Sequence, residues 1–297
     1  MDNQFFHYTT LKALYGIISK QELWLSNLKN SNDPNEVSLT YEQYNRIIEG
    51  MGIDPYHGTP MILSKNKVMG TPYGVSLTTL ADNLSQWERY GDSLRGVSIL
   101  FDIDFIQSYL YENYHFKFYF EKMRYTDEER KALILENIST MPKFENYIWK
   151  NHWPIVALFF IMHYSDARAL FKSDDFIGEK EYRLFFDPIQ SKFYHEMICM
   201  FNDDSTKRIV EEEAACFNYK KEVMHLMEQD KQYALLRNGI TSFMKLDLNL
   251  FGDSKNKIIK EIQLGPKCPQ DEDELKSFLS CYGYSPIISK SSIRIRG

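Results

Sequence analysis

The sequence predicts an α+β fold, and the irregular order of its elements is what predicts it. Strand-like apolar runs occur near both ends of the chain and in its middle, with helical stretches of unequal length between them. A doubly wound sheet would instead alternate strand and helix regularly. A strong hairpin signal, Asn238-Gly239 between the runs Gln232–Arg237 and Thr241–Leu248, adds antiparallel pairing. With no internal repeat and no low-complexity linker, residues 1–297 read as one elaborated domain. It carries a mainly helical insertion at about 104–172 and a helix-rich excursion at about 190–230.

In chain order, Phe5–Thr9 reads as a strand and Leu11–Lys20 as a helix, with Leu14, Ile17 and Ile18 on its apolar stripe and Thr10 as N-cap. Leu23–Ser26 is a second strand. In Asn32-Asp33-Pro34-Asn35-Glu36 the aspartate suits a cap, the proline the first helical position and the glutamate a capping box. The segment reads as a device that starts a helix running to about Ile48. Residues 50–72 read as a loop. Tyr73–Thr79 is a strand ending in hydroxyls, Asp82 caps a short helix, and Gly96–Phe101 is an apolar strand. The stretch 104–172 is helical apart from a strand at Phe118–Tyr125, and its last helix spans roughly 144–171. Beyond the hairpin, the chain reads as strand, helix, strand: Ile258–Leu264, Asp271–Cys281 and Ser285–Ser289.

Composition sets the class. A chain with 43% hydrophobic and 26% charged residues can bury a large core as an ordinary globular protein. The 15% aromatic content fits a mixed core, or a cleft with stacking surfaces. A net charge of −6 gives no bulk attraction to nucleic acid. Cys199, Cys216, Cys268 and Cys281 are widely spaced without a C-x-x-C pair, which predicts reduced, mostly buried thiols and no cysteine-bound metal. No basic-then-apolar leader opens the chain, and its longest apolar run, Pro154–Met162, is too short to span a bilayer. A soluble, cytoplasmic protein without membrane contact is expected.

The run Gly178-Glu179-Lys180-Glu181-Tyr182-Arg183-Leu184-Phe185-Phe186 carries the sharpest chemical signal. Strand alternation would put Glu179, Glu181 and Arg183 outward and Tyr182, Leu184 and Phe186 in the core, with the carboxylates ~6–7 Å apart. Such a pair can act as acid and base, or stabilise a sugar oxocarbenium ion. The same pattern also suits an edge strand blunted by charge. His7, where a strand meets a helix, suits a ribose hydroxyl or a phosphate, or a buried ring bonded to carbonyls. Ser76 and Thr78 could bond a ligand, and Trp87 or Tyr90 could stack on its ring. His152 and His163 lie among aromatics and read as core. Phosphate-loop, dinucleotide-fingerprint, nucleophile-elbow and zincin motifs are lacking in the sequence.

The set His7-Tyr8-Thr9, Leu23-Trp24-Leu25-Ser26, Asn32-Asp33-Pro34-Asn35-Glu36, Ser85-Gln86-Trp87, Tyr90-Gly91, Gly96, Glu179-Lys180-Glu181-Tyr182-Arg183 and Gly265-Pro266-Lys267 resembles a widespread bacterial family known as a domain of unknown function. The order of histidine on a first strand, hydroxyls on a middle strand and E-x-E on a late one also resembles the ADP-ribosyltransferase fold. That resemblance implies a split mixed or antiparallel sheet and an NAD-cleaving enzyme. Glu181 would be catalytic and Glu179 would polarise the acceptor. His7, Thr9, Ser76, Thr78, Trp87, Tyr90 and Arg183 would line the NAD site. Nicotinamide would leave, and ADP-ribose would pass to a protein, a nucleic acid or water, as the action of a toxin or antiphage effector would require. Ser-Leu-Thr-Thr matches the usual Ser-Thr-Ser loosely, and histidine with E-x-E mixes two branches. The alternatives are a non-enzymatic module sensing a nucleotide or phage component, and a metal-dependent nuclease with further acids, Asp174 and Asp175 being nearest. No metal ligand set is assigned.

Overall fold

The structure is a computed structural model that describes residues 4–30, 32–33, 46, 72–114, 116, 118–140, 167, 169–186, 232–236 and 239–295. Strand β1 (Phe6–Thr9) enters helix α1 (Leu11–Lys20) through Thr10, whose hydroxyl accepts from the Ala13 amide at 3.0 Å. The cap satisfies one of the orphan amides of the first turn, and Leu14, Ile17 and Ile18 bury the expected stripe. Gln21, left-handed at φ 55°, turns the chain into β2 (Glu22–Asn27). Strands β3 (Tyr73–Thr78) and β4 (Val97–Phe101) flank the short helix α2 (Leu84–Arg89). Asn83, not Asp82, caps α2, accepting from the Gln86 amide. Asp82 instead accepts from the Trp87 indole at 2.9 Å and from Ser291 and Ser292.

Helix α3 (Ile103–Tyr114), strand β5 (Tyr119–Lys122) and helix α4 (Asp127–Thr140) realise the first part of the expected helical insertion. Its last helix falls outside the described residues except at its end, where Phe171 makes a parallel bridge to Arg124. Strand β6 (Glu181–Phe186) follows a 3-10 turn over Asp174–Glu179. Strands β7 (Gln232–Leu236) and β8 (Gly239–Asp247) pair antiparallel as the hairpin signal predicts. Leu236 pairs with Gly239, however, so Gly239 belongs to the strand and the connection is centred one residue earlier than a turn at Asn238-Gly239 requires. After a 3-10 stretch come β9 (Ile259–Leu264), α5 (Glu272–Cys281) capped by Asp271, and β10 (Ile287–Lys290). The expected loop at 50–72 apart from residue 72, the helix after Asp33 apart from residue 46, the excursion at 190–230 and the histidines at 152 and 163 lie outside the described residues.

The sheet runs β10-β9-β4-β1-β3-β2-β8-β7, with β6 paired to β3 and β5 to β6. Among the described strand-to-strand pairings β9–β10 alone is parallel, so this α+β fold has a mostly antiparallel open sheet. Strand β3 is its branch point. One edge pairs with β6 along its length, from Tyr73↔Phe186 to Thr78↔Glu181. The other edge is shared, Thr78 pairing with Phe6 of β1 while Gly74 and Tyr73 pair with Ser26 and Asn27 of β2. Between those contacts β1 and β2 splay apart, and the sheet splits at 75–77.

Alternation along the strands sorts the side chains into two layers. Val75, Leu77, Ile99, Leu184 and Phe186 join the main core, together with residues of α1, α3 and α5. On the opposite face, Phe6, Tyr8, Leu100, Trp87 and Leu94 form a second cluster, packed by Ile293 and Ile295. The Gly91–Gly96 loop is pressed against β1. A Cβ on Gly96 would lie 2.1 Å from the Thr9 carbonyl oxygen, so only glycine fits. Cys281 is exposed and Cys268 half-buried, so the expected burial of thiols fails at Cys281. Among the described residues no helix is long and apolar enough to cross a membrane.

Candidate functional site

The acidic motif is not built as its alternation suggests. Glu179 ends the 3-10 turn, and Lys180 adopts a left-handed conformation at φ 45°, ψ 47° before the strand begins at Glu181. A non-glycine residue there costs about 1–2 kcal/mol. The reversal still leaves the Glu179 and Glu181 carboxylates as neighbours, by a turn and not by a pleat. Nor do they face outward. Glu179, Glu181 and Arg183 are all buried, Arg183 to 1% exposure, and β6 is interior to the sheet, between β3 and β5. The edge-strand alternative is thereby removed.

Lys172 compensates this buried acidity, and no sequence motif announced it. Its Nζ donates to Glu179 Oε2 at 2.7 Å and to Glu181 Oε2 at 2.6 Å. Arg183 Nε donates to Glu181 Oε1 at 2.7 Å, and its Nη1 donates to the Ala169 carbonyl. Ser76 Oγ donates to Glu181 Oε1 at 2.5 Å, consistent with its cross-strand position beside Arg183. Burial pushes the Glu181 carboxyl up. The Arg183 and Lys172 charges, with the Lys172 and Ser76 hydrogen bonds, outweigh that burial and hold the group at about 2.

Glu179 is gripped from the other side. Tyr90 donates to its Oε1 at 2.5 Å, Asn32 Nδ2 and Arg89 Nη1 approach the same oxygen at 3.3 Å, and Thr78 Oγ1 donates to its carbonyl at 2.7 Å. Burial, and then the bond and charge of Glu179, push the Tyr90 hydroxyl well above the usual phenol range. Tyr125 supports the site from below, its hydroxyl accepting from the Glu181 amide at 2.8 Å. The Asn32-Asp33 segment therefore has contacts that its reading as a capping device did not foresee. Asn32 also bonds the Tyr90 hydroxyl, and buried Asp33 accepts from the Ser173 amide at 2.6 Å.

The remaining predicted residues divide. Ser76, Thr78, Tyr90 and Arg183 join the cluster, with Thr78 and Arg183 sealed beneath it. His7 donates from Nδ1 to the Ser76 carbonyl at 3.0 Å, at the place where the sheet splits. Its ring projects from β1 opposite to Phe6 and Tyr8, whose face is the one Glu181 shares through Thr78. His7 and Glu181 thus meet through Ser76. Burial lowers the imidazole from its ordinary value, partly offset by the Ser76 carbonyl. Thr9 lies farther along β1, paired with Val97. Trp87 offers no stacking face: it is fully buried, edge-on to Tyr8 at 4.7 Å. The missed residues are Lys172, Arg89, Asn32, Asp33 and Tyr125, none of which sits in a chemical motif of its own.

Lys172 Nζ also holds the place where a divalent ion bridging the two carboxylates would sit. Asp174 and Asp175 are exposed on the 3-10 turn. Among the described residues, no group of three or more histidine, cysteine, aspartate or glutamate side chains is placed to hold a metal.

A family described as protein of unknown function (DUF2971) matches residues 86–184. The matched stretch runs from α2 to β6 and contains Trp87, Arg89, Tyr90, Tyr125, Lys172, Glu179, Glu181 and Arg183. A family model of unknown function thus matches, as the motifs led one to expect, over a narrower span than the motifs themselves cover. No curated protein and no solved structure matches.

Proposed function

We propose that this chain, matched to the DUF2971 family over residues 86–184, is an ADP-ribosyltransferase-like enzyme that cleaves the nicotinamide–ribose bond of NAD. The single observation that carries the reading is Ser76. Its carbonyl accepts from His7 at the split of the sheet, and its hydroxyl donates to an ionised Glu181. First strand, middle strand and late acidic motif are thus joined in one hydrogen-bonded array.

A carboxylate held at about 2 is an anion at neutral pH, the form that favours a positively charged sugar transition state. In the proposed reaction the N-glycosidic bond breaks, and its electron pair leaves with the nicotinamide ring, which becomes neutral. Glu181 stabilises the ribosyl cation and accepts from its 2′-hydroxyl. An acceptor hydroxyl, amine or water then attacks the same carbon and gives up its proton, which Glu179 would receive. Ser76 would position the nucleotide beside Glu181, His7 would hold the Ser76 carbonyl from the opposite face of the sheet, and Tyr90 fixes Glu179.

Incubating the full chain with NAD and measuring released nicotinamide tests this. The expected result is turnover that Glu181→Gln reduces by about 100-fold or more, with circular dichroism unchanged. Absence of release from the unaltered protein overturns the reading. A second reading, a binding module that holds a nucleotide without turnover, is favoured by the ion pairs of both carboxylates with buried Lys172 and Arg183. Saturable NAD binding that survives Glu181→Gln, without nicotinamide release, would select it.

A further inference from the structure

We propose that Lys172 is the positioning residue of this site, a fixed internal cation that lets Glu179 and Glu181 carry their charges together and sets the direction in which Glu181 points. A role in presenting Glu181 to a ribose presupposes the transferase reading; the coupling of the three charges does not.

Two carboxylates in one buried site repel, and without a cation between them the pair holds on to a proton. Lys172 reaches one oxygen of each, at 2.7 and 2.6 Å, and is itself 2% exposed. The other groups facing the pair act on one member each in the contacts seen. Arg183 and Ser76 bond Glu181. Arg89, Tyr90 and Asn32 bond Glu179. Tyr125 meets the Glu181 amide and not its carboxylate. Lys172 is the link between the two halves.

Its backbone is built to hold it there. Arg130 Nη2 donates to the Lys172 carbonyl at 2.6 Å and also to the Tyr125 carbonyl. The Lys172 amide donates to the Arg124 carbonyl at 3.1 Å, and Asp33 takes the next amide, that of Ser173. The Phe176 ring closes over the ammonium at 4.8 Å. Segments from the β5–α4 connection, α4, the Asn32-Asp33 segment and the 3-10 turn therefore converge around one lysine. A side chain so tethered loses little entropy in gripping the carboxylates, and both remain aimed as the fold leaves them. Lys172 acts through Glu181 and is not itself a reacting group.

Three variants of the full chain test this: Lys172→Met, Lys172→Arg, and Lys172→Met combined with Glu179→Gln. Carboxyl carbon signals of labelled glutamate, followed by NMR against pH, report the charge state whether or not the protein is an enzyme. In Lys172→Met one buried glutamate should take up a proton with a midpoint above ~6, and in Lys172→Arg none should. The double variant should lose that titration and melt higher than Lys172→Met alone, since one negative charge has gone with the positive one. If the unaltered protein releases nicotinamide, Lys172→Met should be at least about twofold slower at pH 6 than at pH 8, a difference absent from Lys172→Arg. The proposal is overturned if Lys172→Met shows no carboxyl titration above ~5, or if the double variant is less stable than the single. Failure of both Lys172→Met and the double variant to fold also overturns it, because charge balance would then not be what the lysine supplies. Absence of nicotinamide release sinks the transferase reading alone and leaves the titration to decide.

Discussion

Glu181 shows how a buried charge becomes a liability in acid. Its folded value of about 2 lies below the ordinary 4.5, so the folded state binds fewer protons than the unfolded one between those limits. The stability this provides is complete above about pH 4.5 and is lost as pH falls toward 2. The shift corresponds to on the order of 3 kcal/mol. Chemical denaturation followed from pH 6 to pH 2.5 should show that loss, and Glu181→Gln should flatten it while lowering stability at pH 7. Tyr90→Phe should be milder, about 1–2 kcal/mol in melting experiments, since it removes one hydrogen bond to a charged oxygen and leaves Asn32 and Arg89 on Glu179. The composition of this cluster was half legible in the sequence. The acids and Arg183 stand together in one short run, whereas Lys172 and Tyr125 are ordinary residues until the chain folds.

At the scale of elements, local rules did well where one element decides its own form. Thr10 before an apolar stripe names a cap, and an Asn-Gly pair between two strand-like runs names a hairpin, by chemistry alone, although the pairing of Leu236 with Gly239 centres the connection one residue earlier than the pair itself. Thr10→Ala should cost about 1 kcal/mol of unfolding free energy by removing the bond to the Ala13 amide. The rules failed where a distant partner competed. Asp82 has the right type to cap α2, but Trp87, Ser291 and Ser292 claim its carboxylate, and Asn83 takes the cap. Glu179 has the right spacing to extend β6, but Thr78 holds its carbonyl and Tyr90 its carboxylate, so the chain turns at Lys180.

Across the whole molecule, β3 ties the parts together. It serves β6 on one edge and both β1 and β2 on the other, which places the split of the sheet beside Ser76. The face that carries Glu181 is continued by the cluster around Trp87, and the 291–295 segment packs across that cluster. Asp82 is the pin: it accepts from Trp87 on α2 and from both serines that follow β10. Asp82→Ala should therefore raise amide exchange over 291–295 by about tenfold or more while leaving β1–β4 protected, as read by hydrogen-exchange mass spectrometry. Exchange unchanged in that segment would show that Ile293 and Ile295 hold it by packing alone.

The amino-acid order on its own determined the α+β class, most strands and helices, and the acidic run that marks the site, because periodicity and capping act between near neighbours. Only the folded chain decided that this run is interior, that Trp87 is core, that His7 reaches Glu181 by way of Ser76, and that Lys172 joins the two acids. Those outcomes depend on strand pairing and burial among residues far apart in the chain, and no local pattern records which distant cation a buried carboxylate will meet.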